Sequence, residues 1–143
     1  SNTGRGERRT RVRESLIAYE SRTTGAFGVT VERCRTLLQH EGFGVLTEID
    51  MQAKLKEKLG VELEPYLILG ACHPPSAYRA LLAAPEVGVL LPCNVTISRE
   101  GDETVVRAMN PDGVMKQVDS PELRQVALEV GAALRRVVEG AAS

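Results

Sequence analysis

The sequence is poor in aromatic residues and cysteine and lacks a long apolar run. Its 143 residues include two Phe, three Tyr and no Trp, so few side chains are available to stack on bases or sugar rings. Three cysteines are an odd number, which argues against a disulfide framework and fits a reducing cytoplasm. No segment approaches the roughly 18 uninterrupted apolar residues that a membrane span needs. We therefore expect a cytoplasmic protein without a membrane partner.

The charge pattern and the absence of known motifs exclude further classes of function. The formal net charge is -1, which disfavours nucleic acid as a partner of the folded body. No glycine-rich nucleotide loop, Gly-X-Ser-X-Gly elbow or His-Glu-X-X-His motif is present, so no catalytic residue is assigned. Residues 1–13 hold five arginines and no periodic apolar face, and they are predicted to form a flexible arginine-rich arm. Residues 14–140 are predicted to form one domain.

Hydrophobic periodicity predicts how strands and helices alternate along that domain. Strands are expected over residues 15–22, 43–49, 65–71, 93–98 and 103–109, and helices over residues 29–41, 51–59, 74–84 and 121–139. This order predicts an α+β fold with one antiparallel sheet, arranged as strand, helix, four strands and helix, with short helices inserted between strands.

Three side-chain patterns predict which faces of these elements are buried. Cys34 falls on the apolar stripe of the first long helix, which predicts a core position. The strand at 43–49 alternates and is expected to be half-buried on one face, with Phe43, Val45, Thr47 and Ile49 inward. The short helix after Pro74 and Pro75 is expected to bury four apolar side chains, namely Ala77, Tyr78, Leu81 and Leu82.

Five ordered motifs make the chain similar to a known family. The motifs are Glu41–Asp50, Lys54–Gly60, Tyr66–Pro74, Ala77–Ala80 and Leu90–Val95. Together they resemble the domain of unknown function 302 family over about residues 14 to 139. The resemblance implies a fold like one half of the TATA-binding protein, in a compact domain that is often a homodimer, and it implies no activity. Relatives often carry Asn after the first cysteine of the third motif, where this chain has His73.

The same topology predicts one rim of chemically capable side chains. In an antiparallel meander, the strand that ends at Cys72 lies beside the start of the strand at Cys93. Cys72, His73, Cys93 and Asn94 are therefore expected to lie together as a ligand-binding site. Asn110, Asp112 and His40 are expected at the same edge of the sheet.

Three interpretations of this rim remain open. In the first, Cys72, Cys93 and His73 bind a thiophilic metal such as zinc or copper, because thiolates and imidazole suit these ions. In the second, the two cysteines are a redox pair or one is a reactive thiol, which requires a lowered pKa. In the third, the cysteines are core residues, and the chain is a structural or protein-interaction module that forms a homodimer. The sequence thus predicts a small-molecule or metal site without identifying the ligand.

Overall fold

The computed structural model describes residues 11–143, and residues 1–10 of the predicted arm lie outside the described residues. Arg13, at the end of that arm, pairs with Glu20 in a strand. The strands are β1 (Arg13–Glu14), β2 (Ala18–Thr23), β3 (Gly44–Asp50), β4 (Tyr66–Cys72), β5 (Cys93–Glu100) and β6 (Glu103–Met109). The helices are α1 (Phe27–His40), α2 (Met51–Leu59), α3 (Pro74–Ala83), α4 (Pro111–Val114) and α5 (Pro121–Ala141), with a 3-10 helix at Pro85–Leu90.

The strands form one six-stranded sheet in the order β1-β2-β6-β5-β4-β3, and every neighbouring pair is antiparallel. This arrangement confirms the predicted α+β class and the antiparallel meander of four strands. The two-residue strand β1 extends the sheet by one strand beyond the predicted order. The likeness to the TATA-binding protein stays a prediction. None of the helices in residues 11–143 has the length and apolar character of a membrane span.

Helix α5 supplies the largest part of the core, as its apolar periodicity predicts. Ser120 caps it by accepting a hydrogen bond from the backbone N–H of Leu123, and Pro121 takes the first helical position. Its buried stripe packs against strands β2 and β6 and against α1. Cys34, on α1, is fully buried in the same core, which confirms its predicted position.

Backbone geometry explains where α1 ends and where α2 begins and ends. Gly42 follows α1 with φ of 85°, and Gly60 ends α2 with φ of 70°; this left-handed conformation favours glycine. Asp50 caps α2, since its carboxylate accepts a hydrogen bond of 2.9 Å from the N–H of Ala53. Gly101, with φ of 67°, turns the β5–β6 hairpin.

The prediction that β3 is half-buried is wrong. All seven residues of β3 are exposed, because this strand is an edge of the sheet and no helix covers it fully. A register shift between Val45 and Thr47 also interrupts the alternation on which the prediction depended. Of the four side chains expected to face inward, Phe43 alone is buried, and it precedes the strand.

The predicted buried face of α3 is also wrong. Tyr78, Leu81 and Leu82 are exposed, whereas Ser76 and Ala80 are buried. The helix packs on α5 through this small-residue face. Arg79 also forms ion pairs with Glu122 and Glu129, although exposed pairs of this kind contribute little to stability. Because small side chains face α5, the larger apolar ones point outward.

Two equally buried serines of the sheet provide a test of its polar packing. Ser21 and Ser98 are each 2% exposed. The Ser21 hydroxyl donates to the carbonyl oxygen of Val138 at 2.7 Å, whereas the Ser98 hydroxyl has no partner among residues 11–143. We expect Ser21→Ala to lower the free energy of unfolding by about 1 kcal/mol. Ser98→Ala should leave it unchanged or raise it by up to about 1 kcal/mol, because it removes a buried hydroxyl without a partner. Urea denaturation measures both, and equal destabilisation by the two substitutions would contradict this account.

Candidate functional site

The predicted convergence of β4 and β5 is confirmed by their register. Ala71 lies opposite Cys93, and Gly70 lies opposite Asn94, so the end of β4 adjoins the start of β5. His73 follows directly and forms the N-cap residue of α3. The four predicted site residues are therefore neighbours along two paired strands.

The two thiols of this region nevertheless lie on opposite faces of the sheet. Because Ala71 pairs with Cys93, these two side chains share the face on which the helices pack, and Cys72 points to the other face. Asn94 alternates in the same way from Cys93 and is exposed. The structure thus separates the predicted set into Cys93 with His73 on the helix side and Cys72 with Asn94 on the outer side.

His73 is held in place by contacts on three sides. Its Nδ1 atom is 2.8 Å from the hydroxyl of Ser76, and the two groups are hydrogen-bonded. Its ring lies 5.4 Å from that of Phe43, at a tilt of 55°. Gly42 makes room for the imidazole, since a Cβ atom there would lie 3.1 Å from Nε2 and Cδ2. The turn after α1 and the start of α3 therefore fix the ring between them.

His73 and Cys93 line one narrow crevice between the sheet, α3 and α5. The enclosed volume is about 30 Å³, and the exposed lining is almost entirely apolar. The lining residues are Phe43, His73, Ser76, Ala77, Ala80, Leu91, Cys93, Pro111, Met115, Val126, Ala127 and Val130. The hydrogen-bonded pair of His73 and Ser76 is the main polar feature of this wall. We call this space the β4–α3 crevice.

The electrostatic surroundings of the buried thiols oppose thiolate chemistry. Burial, with a smaller contribution from the neighbouring Cys72, raises the pKa of Cys93 to about 12. Burial likewise raises the pKa of Cys34 to about 12. Reactive cysteines need a lowered pKa, so Cys93 lacks the activation that a nucleophile or redox partner requires.

The predicted metal site gains no support from this geometry. Within residues 11–143, no group of three or more His, Cys, Asp or Glu side chains is arranged to hold a metal ion. Cys72, Cys93 and His73 therefore do not form such a group. Zinc or copper binding stays a prediction that the arrangement of side chains does not favour.

The three further residues expected at this edge of the sheet have different roles. His40 is exposed at the last position of α1. Asn110 is buried and fully engaged: its side chain accepts hydrogen bonds from Tyr19 and from the N–H of Gly113 and donates one to the carbonyl of Ser15. Asp112 lines a different hollow. None of the three lines the β4–α3 crevice.

That hollow, of about 350 Å³, lies at the amino end of α5. It is larger than the crevice, but its charged side chains are two acids, Asp112 and Asp119, and two bases, Lys116 and Arg124. Because the acidic and basic side chains are equal in number, the hollow does not favour an anion over a cation. No predicted site residue other than Asp112 lies there.

The sequence prediction missed Ser76, the polar partner of His73. Its spacing of three residues from His73, at the start of a helix, is the signal that would have identified it, because residues i and i+3 meet on a helix surface. Phe43, Met115 and the α5 side chains of the crevice come from distant parts of the chain. Only the packed fold brings these to the site.

The three thiols should differ sharply in reactivity. Cys72 is partly exposed, whereas Cys34 and Cys93 are buried. In the native protein at pH 8, we expect a disulfide reagent such as DTNB to modify about one thiol per chain, and Cys72→Ser should abolish that reaction. Cys34 and Cys93 should react only after denaturation. Rapid labelling of Cys93 in the folded protein would contradict this assignment and would revive the interpretation of a reactive thiol.

Comparisons with known proteins support the fold and the family resemblance. The model of the family described as "Domain of unknown function DUF302" matches residues 18–141. Among solved structures, the crystal structure of an uncharacterized conserved protein DUF302 from Bacillus stearothermophilus is similar, with a TM-score of 0.82 and 28% sequence identity. The match covers 88% of this chain and 98% of that one. No curated protein is similar enough to count as a match.

Proposed function

We propose that this chain, which belongs to the domain of unknown function DUF302 family, binds a small molecule in the β4–α3 crevice. One observation carries the proposal: the hydrogen-bonded pair of His73 and Ser76 belongs to the lining of an otherwise apolar crevice. Small-molecule sites typically combine an apolar lining with a few fixed polar groups. Part of the predicted site, His73 with Cys93, contributes to the same wall.

The dimensions of the crevice limit what it can hold. Small-molecule sites usually enclose about 300–1,000 Å³, whereas about 30 Å³ is enclosed here. This volume accommodates roughly two water molecules or a group of similar size. The ligand is therefore a very small molecule, or a larger one of which only one end enters.

Xenon and acetone test the crevice as an apolar and a weakly polar probe. We expect each to cause saturable NMR shifts in the side-chain methyl groups of Met115, Val126 and Val130. Ala77→Leu should abolish these shifts, because the half-buried Ala77 side chain lines the crevice and a leucine fills it while preserving the helix. Ala132→Leu is the matched control, since Ala132 is exposed on α5 and should not affect binding.

Two results would contradict the proposal. The first is the absence of saturable shifts in the wild-type protein. The second is unchanged binding in a folded Ala77→Leu variant, which would place the probes elsewhere. Circular dichroism of both leucine variants verifies that each is folded.

A second candidate function, a homodimer module, is favoured by the exposed edge of the sheet. Strand β3 carries three exposed apolar side chains, Val45, Leu46 and Ile49, and it has neither the lysine nor the proline that commonly protects an edge strand. An edge strand offers backbone N–H and C=O groups for pairing with another strand. We propose that its occupant is β3 of a second copy.

The charges of β3 are compatible with such a pair. Antiparallel pairing about a two-fold axis at Thr47 places Glu48 opposite Leu46 and Asp50 opposite Gly44. No carboxylate then faces its own copy. The irregularity at Leu46 interrupts regular pairing at that residue in each copy.

Two leucines of nearly equal exposure test this interface. Leu46 on β3 is 66% exposed, and Leu82 on α3 is 67% exposed. We expect the wild-type protein to be dimeric in sedimentation velocity, Leu46→Lys to be monomeric, and Leu82→Lys to remain dimeric. A monomeric wild-type protein, or dissociation by Leu82→Lys alone, would contradict pairing through β3.

A further inference from the structure

We infer that the β4–α3 crevice selects uncharged molecules with one hydrogen-bonding group and rejects anions. This inference rests on the proposed ligand-binding function and adds the chemical class of the ligand. It depends on the backbone at the start of α3, on the charges around the crevice and on the bonding capacity of Ser76.

The start of α3 lacks most of the donors with which helices bind anions. The first N–H groups of a helix have no partner within it and often bind phosphate or carboxylate. Here Pro74 and Pro75 occupy the first two helical positions and have no N–H. The N–H of Ala77 is bonded to the carbonyl of His73 at 2.9 Å. The N–H of Ser76 is therefore the one donor of the first turn that a ligand can use.

The lining of the crevice contains no permanently charged side chain to compensate the charge of an anion. None of its residues is Lys, Arg, Asp or Glu. The nearby guanidinium of Arg79 is bonded to Glu122 and Glu129, at 2.9–3.3 Å, on the side of α5. The raised pKa of Cys93 keeps its thiol neutral at physiological pH. An anion would therefore lose its hydration without a compensating ion pair, which is costly.

The Ser76 hydroxyl can serve one neutral polar group. A hydroxyl has one donor and two acceptor sites, and Ser76 uses one of them for His73. The two sites that remain can serve one small polar ligand group, such as an amide or an alcohol, which both donates and accepts. Because Ser76 is 8% exposed, this bond forms where little water competes.

Acetamide and acetate test the selectivity, because they have nearly the same shape and differ in charge. In NMR titrations at pH 8, we expect acetamide to shift the methyl groups of Val126 and Val130 with a dissociation constant at least tenfold below that of acetate. Acetate binding as tightly as acetamide, or more tightly, would overturn the inference.

Ser76→Ala separates this inference from the proposal on which it rests. The substitution should weaken acetamide binding at least threefold more than it weakens xenon binding, because it removes the hydroxyl and little of the apolar wall. Suppose that xenon binds but acetamide binds no more tightly than acetate, or that Ser76→Ala leaves acetamide binding unchanged. The inferred selectivity is then wrong, whereas the proposed binding in the crevice is supported. If neither xenon nor acetamide binds the wild-type protein, the proposed function itself fails, and the inference with it.

Discussion

The close packing of α5 on the sheet is the interaction on which the rest of the structure depends. The helix reaches β2 closely because position 131 is glycine: a Cβ there would lie 2.8 Å from the hydroxyl oxygen of Tyr19. That hydroxyl donates to Asn110, whose side chain also donates to the carbonyl of Ser15. Ser21, two residues after Tyr19, donates to the carbonyl of Val138. Strand β2 is thus hydrogen-bonded both to α5 and to the turn after β6. These bonds fix the helix and the turn relative to the same strand.

The β4–α3 crevice follows from how α3 meets this fixed frame. A helix usually fills the space beneath it with large apolar side chains, but α3 presents Ser76, Ala77 and Ala80 toward the sheet and α5. Side chains this short leave a gap, whose lining atoms forgo some of their dispersion contacts. A well-packed core seldom retains such a void without compensation. A small apolar ligand would restore these contacts. The short side chains of α3 therefore account both for the gap and for the proposed binding.

Local features of the fold, such as helix caps and turns, were predictable from the sequence. The burial of each face was not, because it depends on how helices and strands pack in the folded protein. The conformation of Gly42, the cap at Asp50 and the long stripe of α5 are encoded within a few neighbouring residues. The convergence of β4 with β5 followed from strand order alone. The exposure of β3 did not, because edge and central strands can share one alternating pattern and differ only in position within the sheet. The buried face of α3 was mispredicted for a related reason. The small side chains of α3 pack against α5, so its large apolar side chains lie on the opposite, exposed face.

At the candidate site, the alternation of side chains along β4 determines which groups lie close together. Cys72 and His73 are adjacent in sequence, which suggested a thiol with an imidazole beside it. The strand places Cys72 on the outer face, and the chain then enters α3, whose first residues turn His73 back toward the helix side. His73 therefore meets the hydroxyl of Ser76 rather than a thiolate, and Cys93, the thiol that shares its crevice, is kept protonated by its burial. In place of the thiolates that would attract zinc or copper, the apolar wall therefore carries a hydroxyl and an imidazole. Chemistry of this kind discriminates by shape and by a single hydrogen bond.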